Sequence, residues 1–197
     1  MARRRNRTQS EFRPDRKPLS LPKLFFLTQV QRSRIAKWSL YVLTMILTLT
    51  VQDVILGRML LFGATTDLPA MLILLITVIE GVDVGSLFVL ITSVLYYCSG
   101  TAPSPYCVIL LSAIGIFASL TRQVWLHRSK GAIVFSAGVG LMAYELALFV
   151  VGLAQGLTHF SRFFVFVLTG AYSWALMLPM YDLINRIGLI GGNTWKE

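Results

Sequence analysis

An acid inside a long apolar segment is unfavourable unless it is neutral, paired or set in a polar cavity, so every such acid is a candidate for chemistry. Five acids stand in or beside apolar segments here: Asp53, Glu80, Asp83, Glu145 and Asp182. Glu145 is the sharpest case, near the middle of the stretch Ala132 to Leu153 and beside Tyr144. The stretch tolerates it, because about ten strongly apolar residues favour insertion by roughly 3–6 kcal/mol, against about 3 for one central acid. Two readings stay open: a hydrogen-bonded link between helices, or part of a proton, ligand or partner site. Glu145 and Asp53 are therefore candidate intramembrane interaction residues. Glu80 and Asp83 lie at a glycine-containing bend and Asp182 just beyond Pro179, which makes these three candidate interface contacts.

Other chemistry has little to stand on. The chain contains no phosphate-binding loop, dinucleotide fingerprint, nucleophile elbow or zinc motif, so neither an enzyme nor a resident cofactor or metal is expected. His127 and His159 fall in connections of opposite topology and do not form a ligand pair. Cys98 and Cys107 are the only cysteines, too few for a disulfide framework or a tetrahedral zinc site, and are expected as ordinary thiols.

Composition explains why acids at depth are an issue. Of 197 residues, 55% are apolar and only 14% charged, where a soluble domain carries about a quarter charged. Too few polar residues are present to cover a water-soluble surface, and a lipid bilayer removes that need. The net charge of +9 raises the question of nucleic acid, since clustered Lys and Arg neutralise phosphates. Eleven of the eighteen basic residues, however, lie in residues 1–37, directly ahead of an apolar span. There they act as an orientation signal and a contact for anionic lipid; no nucleic-acid partner is expected. A cleaved secretory signal is not expected, given the length of both the basic and the apolar stretch and the lack of a convincing small-residue cleavage site.

The elements that must position the acids follow from the apolar runs. Residues 1–18 have the composition of a disordered basic cytoplasmic tail. Residues 19–35 mix Leu and Phe with Lys23, Arg32 and Arg34, as in a short interfacial helix. Residues 36–186 form a polytopic membrane domain, and residues 187–197 a cytoplasmic C-terminal tail. Its first span covers about Trp38 to Leu56, roughly 28 Å at helical rise. Two short arms follow, Leu68 to Ile79 and Ser86 to Tyr97, separated by the break Glu80 to Gly85. Each is about 12 residues, or roughly 18 Å as a helix, and crosses only with bilayer thinning, tilt or burial in protein. They read as a tight hairpin, with a re-entrant hairpin as the rival reading. Tyr106 to Leu120 is the fourth segment, Ala132 to Leu153 the fifth, and Phe163 to Leu178 the sixth, stopped by Pro179.

With the N-terminus inside, sixteen basic residues fall on the cytoplasmic side and only Arg58 and Arg162 outside. The expected fold is an all-α membrane protein of six helical segments with both termini cytoplasmic. Small residues at Ser136 to Gly140 and at Gly170-Ala171 allow close helix approach, read as packing within the chain in preference to a partner interface.

The order of these pieces resembles the rod shape-determining protein MreD family. The likeness is carried by Asp67-Leu68-Pro69-Ala70-Met71-Leu72-Ile73-Leu74-Leu75, by the break at Gly81, and by Gly85 opening a segment that ends at Ser99-Gly100. A fourth segment closing on Arg122, a fifth with a central Glu145, and Leu178-Pro179-Met180-Tyr181-Asp182-Leu183-Ile184 complete it, over about Trp38 to Arg186. The resemblance implies a non-enzymatic scaffold subunit of the bacterial cytoplasmic membrane. Its implied partner is an MreC-like membrane protein, with indirect links to an MreB-like filament and to the peptidoglycan polymerase and transpeptidase of cell-wall elongation. It also implies a helical architecture similar to the substrate-binding subunits of energy-coupling-factor transporters. A vitamin- or metal-transporter subunit is therefore the alternative.

Overall fold

The structure is a computed structural model and describes residues 29–59, 63–125 and 129–190. These residues form six α helices: α1 (Gln29–Val54), α2 (Leu68–Glu80), α3 (Val82–Cys98), α4 (Cys107–Trp125), α5 (Lys130–Ala154) and α6 (Phe163–Gly188). Short 3-10 turns follow α1 at Leu56–Arg58 and precede α6 at Phe160–Arg162. α1, α4, α5 and α6 are each long and apolar enough to cross a membrane.

The arrangement turns on α2. It has only 13 residues, every one from Pro69 to Glu80 is buried, and it touches all five other helices. A helix apolar on every side has no polar face for solvent and must be enclosed; α1, α3, α4, α5 and α6 enclose it. The reverse holds for α1, whose buried residues Lys37, Tyr41, Met45 and Thr48 form one stripe at helical spacing while Leu43, Ile46 and Leu47 are exposed. α3 likewise exposes Leu87, Leu90, Ile91 and Val94. The outward faces of α1 and α3 thus carry large apolar side chains.

Local chemistry sets where α2 starts and stops. Asp67 caps its N-terminus, Oδ1 accepting the Ala70 N–H at 3.0 Å, and Pro69 occupies the first turn, where a missing N–H leaves no helical bond unmade. Gly81 ends it at φ 85° and ψ −178°, a backbone region essentially reserved to glycine, so α3 begins one residue later. Gly85 then lies so close that a Cβ there would be 2.5 Å from the Thr77 carbonyl oxygen.

Side-chain contacts show the helices alternating in direction. At one end of the bundle Lys37 of α1 meets Glu80 of α2, Arg122 of α4 meets the Val78 and Ile79 carbonyls, and Lys130 of α5 meets Asp182 of α6. At the other end Gln52 of α1 meets Thr66 and Leu68, and Tyr96 of α3 meets Asp67. Hydroxyls tie neighbours between these ends: Ser119 donates to the Thr77 carbonyl, Ser136 to the Ala118 carbonyl, and Ser93 bonds Ser112.

Several boundaries differ from those read off the sequence. Residues 29–35 continue into α1 as one helix, while 1–28, including most of the expected interfacial segment, lie outside the described residues, as do 126–128 with His127. The break between α2 and α3 is one residue, Gly81, rather than six. α6 does not stop at Pro179 but runs to Gly188. The proline removes one backbone bond, whereas Met177, Tyr181 and Ile184, spaced to share a helix face, all remain buried. Cys98 and Cys107 are free thiols.

The small-residue stretches are filled from within the chain. A Cβ on Gly138 would lie 2.2 Å from the Trp174 ring and one on Gly140 3.2 Å from Ala118. Gly85 gives the cleanest test, because its neighbour is backbone and cannot rotate away. Gly85→Ala is expected to destabilise the fold by about 1–3 kcal/mol, read as a lower unfolding midpoint of the purified protein by tryptophan fluorescence. Gly131→Ala, with nothing within 4 Å of the new Cβ, is expected to leave the midpoint unchanged or slightly raised.

Candidate functional site

Two polar clusters occupy opposite ends of α2. At its C-terminal end, Glu80 is buried and receives Lys37 Nζ at 2.7 Å from Oε1 and 2.8 Å from Oε2. Tyr41 donates to Oε1 at 2.6 Å, and α6 closes over the group, a Cβ on Gly188 lying 3.1 Å from Tyr41 Oη. Arg122, also buried, donates to the last carbonyls of α2, satisfying acceptors that a helix end leaves open and placing positive charge where the helix dipole is negative. Every polar group in this cluster is matched, as a structural lock requires.

The cluster at the N-terminal end is different. Asp67 Oδ1 caps α2 and Oδ2 accepts Tyr96 Oη at 2.9 Å. The Asp67 N–H donates to Ser173 Oγ at 2.7 Å, and Ser173 Oγ donates to the Thr169 carbonyl. Gln52 bridges from α1, Nε2 donating to the Thr66 carbonyl at 2.6 Å and Oε1 accepting the Leu68 N–H at 3.2 Å. Beside these groups opens a cavity of ≈ 250 Å³. Asp67, Tyr96, Glu145 and Leu148 are its buried lining, while Pro103 and Arg162 are exposed at its rim.

Glu145 reaches the cavity because α5 and α6 approach closely at Gly170, where a Cβ would sit 2.6 Å from Met142 Sδ and 3.5 Å from Glu145 Cγ. It is 4% exposed, yet among the described residues its carboxyl accepts no hydrogen bond and forms no ion pair. The neighbouring Tyr144 hydroxyl and, in the cavity lining, Thr66 Oγ1 are also buried without partners.

The structure therefore separates the five acids singled out by sequence. Glu145 joins Asp67 at the cavity, whereas Asp53 is exposed in the last turn of α1 and is not among the lining residues. Glu80 is locked to Lys37 within the protein. Asp83 is exposed in the first turn of α3, and Asp182 pairs with Lys130 at 3.2 Å on the surface. Asp67, Tyr96 and Arg162 were not singled out for chemistry. Asp67 had a readable signal, an acid directly before Leu-Pro at a helix start; the other two had none. No group of three or more His, Cys, Asp or Glu able to hold a metal ion occurs among the described residues.

The lock at Glu80 makes a quantitative prediction. Removing one member of a buried ion pair costs about 3–5 kcal/mol, while replacing both by apolar groups costs far less. Lys37→Met alone is thus expected to lower the unfolding midpoint strongly, and Lys37→Met combined with Glu80→Leu to recover much of the loss. A double variant at least as unstable as the sum of the two singles would refute the pairing.

Comparison of the chain with family models, with curated proteins and with solved structures finds no match.

Proposed function

We propose that this chain is a non-enzymatic scaffold subunit of bacterial cell-wall elongation, of the MreD type. It crosses the cytoplasmic membrane six times with both termini inside. Its direct partner is an MreC-like membrane protein, through which it is coupled to an MreB-like filament and the peptidoglycan polymerase and transpeptidase. The basic N-terminal tail meets anionic lipid on the cytoplasmic side.

One observation carries the reading: the short stretches that resemble the family are the points on which the packing turns. Asp67-Leu68-Pro69 starts the enclosed helix, Gly81 and Gly85 fold α3 against it, Arg122 closes its far end, and Glu145 meets Asp67 at the cavity. The orientation has its own support. Lys37, Arg122 and Lys130 gather at the end of the bundle where Glu80 lies, and Arg162 lies at the other, as the positive-inside rule requires. The alternative, a transporter's substrate-binding subunit, is favoured by one feature, the polar cavity between helices.

Both parts are testable. Tagged protein extracted from its native membrane is expected to co-purify an MreC-like protein, and its depletion to widen or round the cells; normal shape together with no such partner would overturn the scaffold role. Single cysteines at residues 104 and 157, in a variant lacking Cys98 and Cys107, are expected to react with an impermeant thiol reagent from outside the cell, and one at residue 129 only after lysis. The reverse pattern would overturn the orientation.

A further inference from the structure

The cavity at the start of α2 is not accounted for by packing. The other buried acids have partners, Glu80 in Lys37 and Tyr41 and Asp67 in Ala70 and Tyr96. Glu145, buried to the same degree, has no hydrogen-bond or ion-pair partner among the described residues. A buried polar group without a partner costs free energy, and a buried carboxylate more, so such a group facing a cavity marks a place where a donor from outside the chain would be favourable.

The lining also states what kind of donor fits. Two carboxyls, Glu145 and Asp67, are buried within it, and a guanidinium, Arg162, is exposed at its rim. That polarity matches a molecule with a cationic inner end and an anionic outer end. A volume of ≈ 250 Å³ has room for an amino acid or a short dipeptide. Leu148 and Phe166 give it an apolar wall for a small side chain.

We propose that this cavity binds a small zwitterion, an α-amino acid or dipeptide, with its ammonium group between Glu145 and Asp67 and its carboxylate at Arg162. The site stands whether the subunit is a scaffold or a transporter component, since it rests on the lining alone.

The test is thermal unfolding and equilibrium dialysis of the full chain in detergent with glycine, alanine, alanyl-alanine and lysine, set against ethylamine and acetate. At least one zwitterion is expected to bind and to raise the midpoint by a few degrees, ethylamine to bind more weakly, and acetate to have no effect. Glu145→Gln is expected to weaken zwitterion binding by about tenfold or more. Asp67→Asn is expected to do the same with the helix cap retained, because asparagine also caps helices. Arg162→Gln, at an exposed position, is expected to weaken the zwitterions and leave ethylamine unchanged. No binding of any zwitterion to the wild-type protein, or undiminished binding by Glu145→Gln, would overturn the proposal. Equal binding of ethylamine and alanine would also overturn it, by removing the role of Arg162.

Discussion

A helix of 13 residues enclosed on every side has to satisfy both of its ends inside the protein, and much of the architecture follows from that requirement. Its first N–H groups and last carbonyls have no partners within the helix. Asp67 supplies an acceptor and a negative charge at one end, and Arg122 with Ser119 supplies donors and a positive charge at the other. Each sign complements the helix dipole where it stands. The five surrounding helices are positioned partly by these contacts: Tyr96 on α3, Ser173 on α6, Gln52 and Lys37 on α1, Ser119 and Arg122 on α4, and Ser136 joining α5 to α4.

The same requirement separates structure from function at the two ends. Where α2 finishes, Lys37, Tyr41, Glu80 and Arg122 are matched and packed under the end of α6. Where α2 begins, capping uses Asp67, but Glu145, in the lining of the adjacent cavity, keeps unused hydrogen-bonding capacity. In a bilayer lipid tails compete equally for apolar side chains, and polar contacts and close approaches, of the kind found at Gly85, Gly138 and Gly170, then weigh more than burial in helix association. The apolar outer faces of α1 and α3 fit that environment.

Much of this was legible in the sequence, for identifiable reasons. The six apolar runs mark six helices because long apolar segments are unambiguous, and Glu145 stands out because it interrupts one. The hairpin of two short helices was also readable, since neither arm is long enough to cross comfortably and burial in protein was one of the remedies; the structure adopts it for α2. The ends were harder. Pro179 reads as a stop, yet a continued buried face carries α6 past it. Asp67 reads as part of a motif, and its role depends on Ser173, 106 residues away, and on Tyr96, 29 residues away. Glu80 reads as an interface acid because its cation, Lys37, lies 43 residues earlier in another helix. Such long-range pairings leave no periodic trace in a single sequence.

The central claim, that α2 is the enclosed axis of the fold, is tested most directly by amide hydrogen exchange on the purified protein, which reads the free energy of local opening residue by residue. The backbone amides from Met71 to Glu80 are predicted to exchange most slowly of all. They should do so only together with those of the helices packed around them, α3, α4, α5 and α6. Exchange of α2 as fast as that of the outer turns of α1, or its opening while α3, α4, α5 and α6 stay protected, would contradict the account.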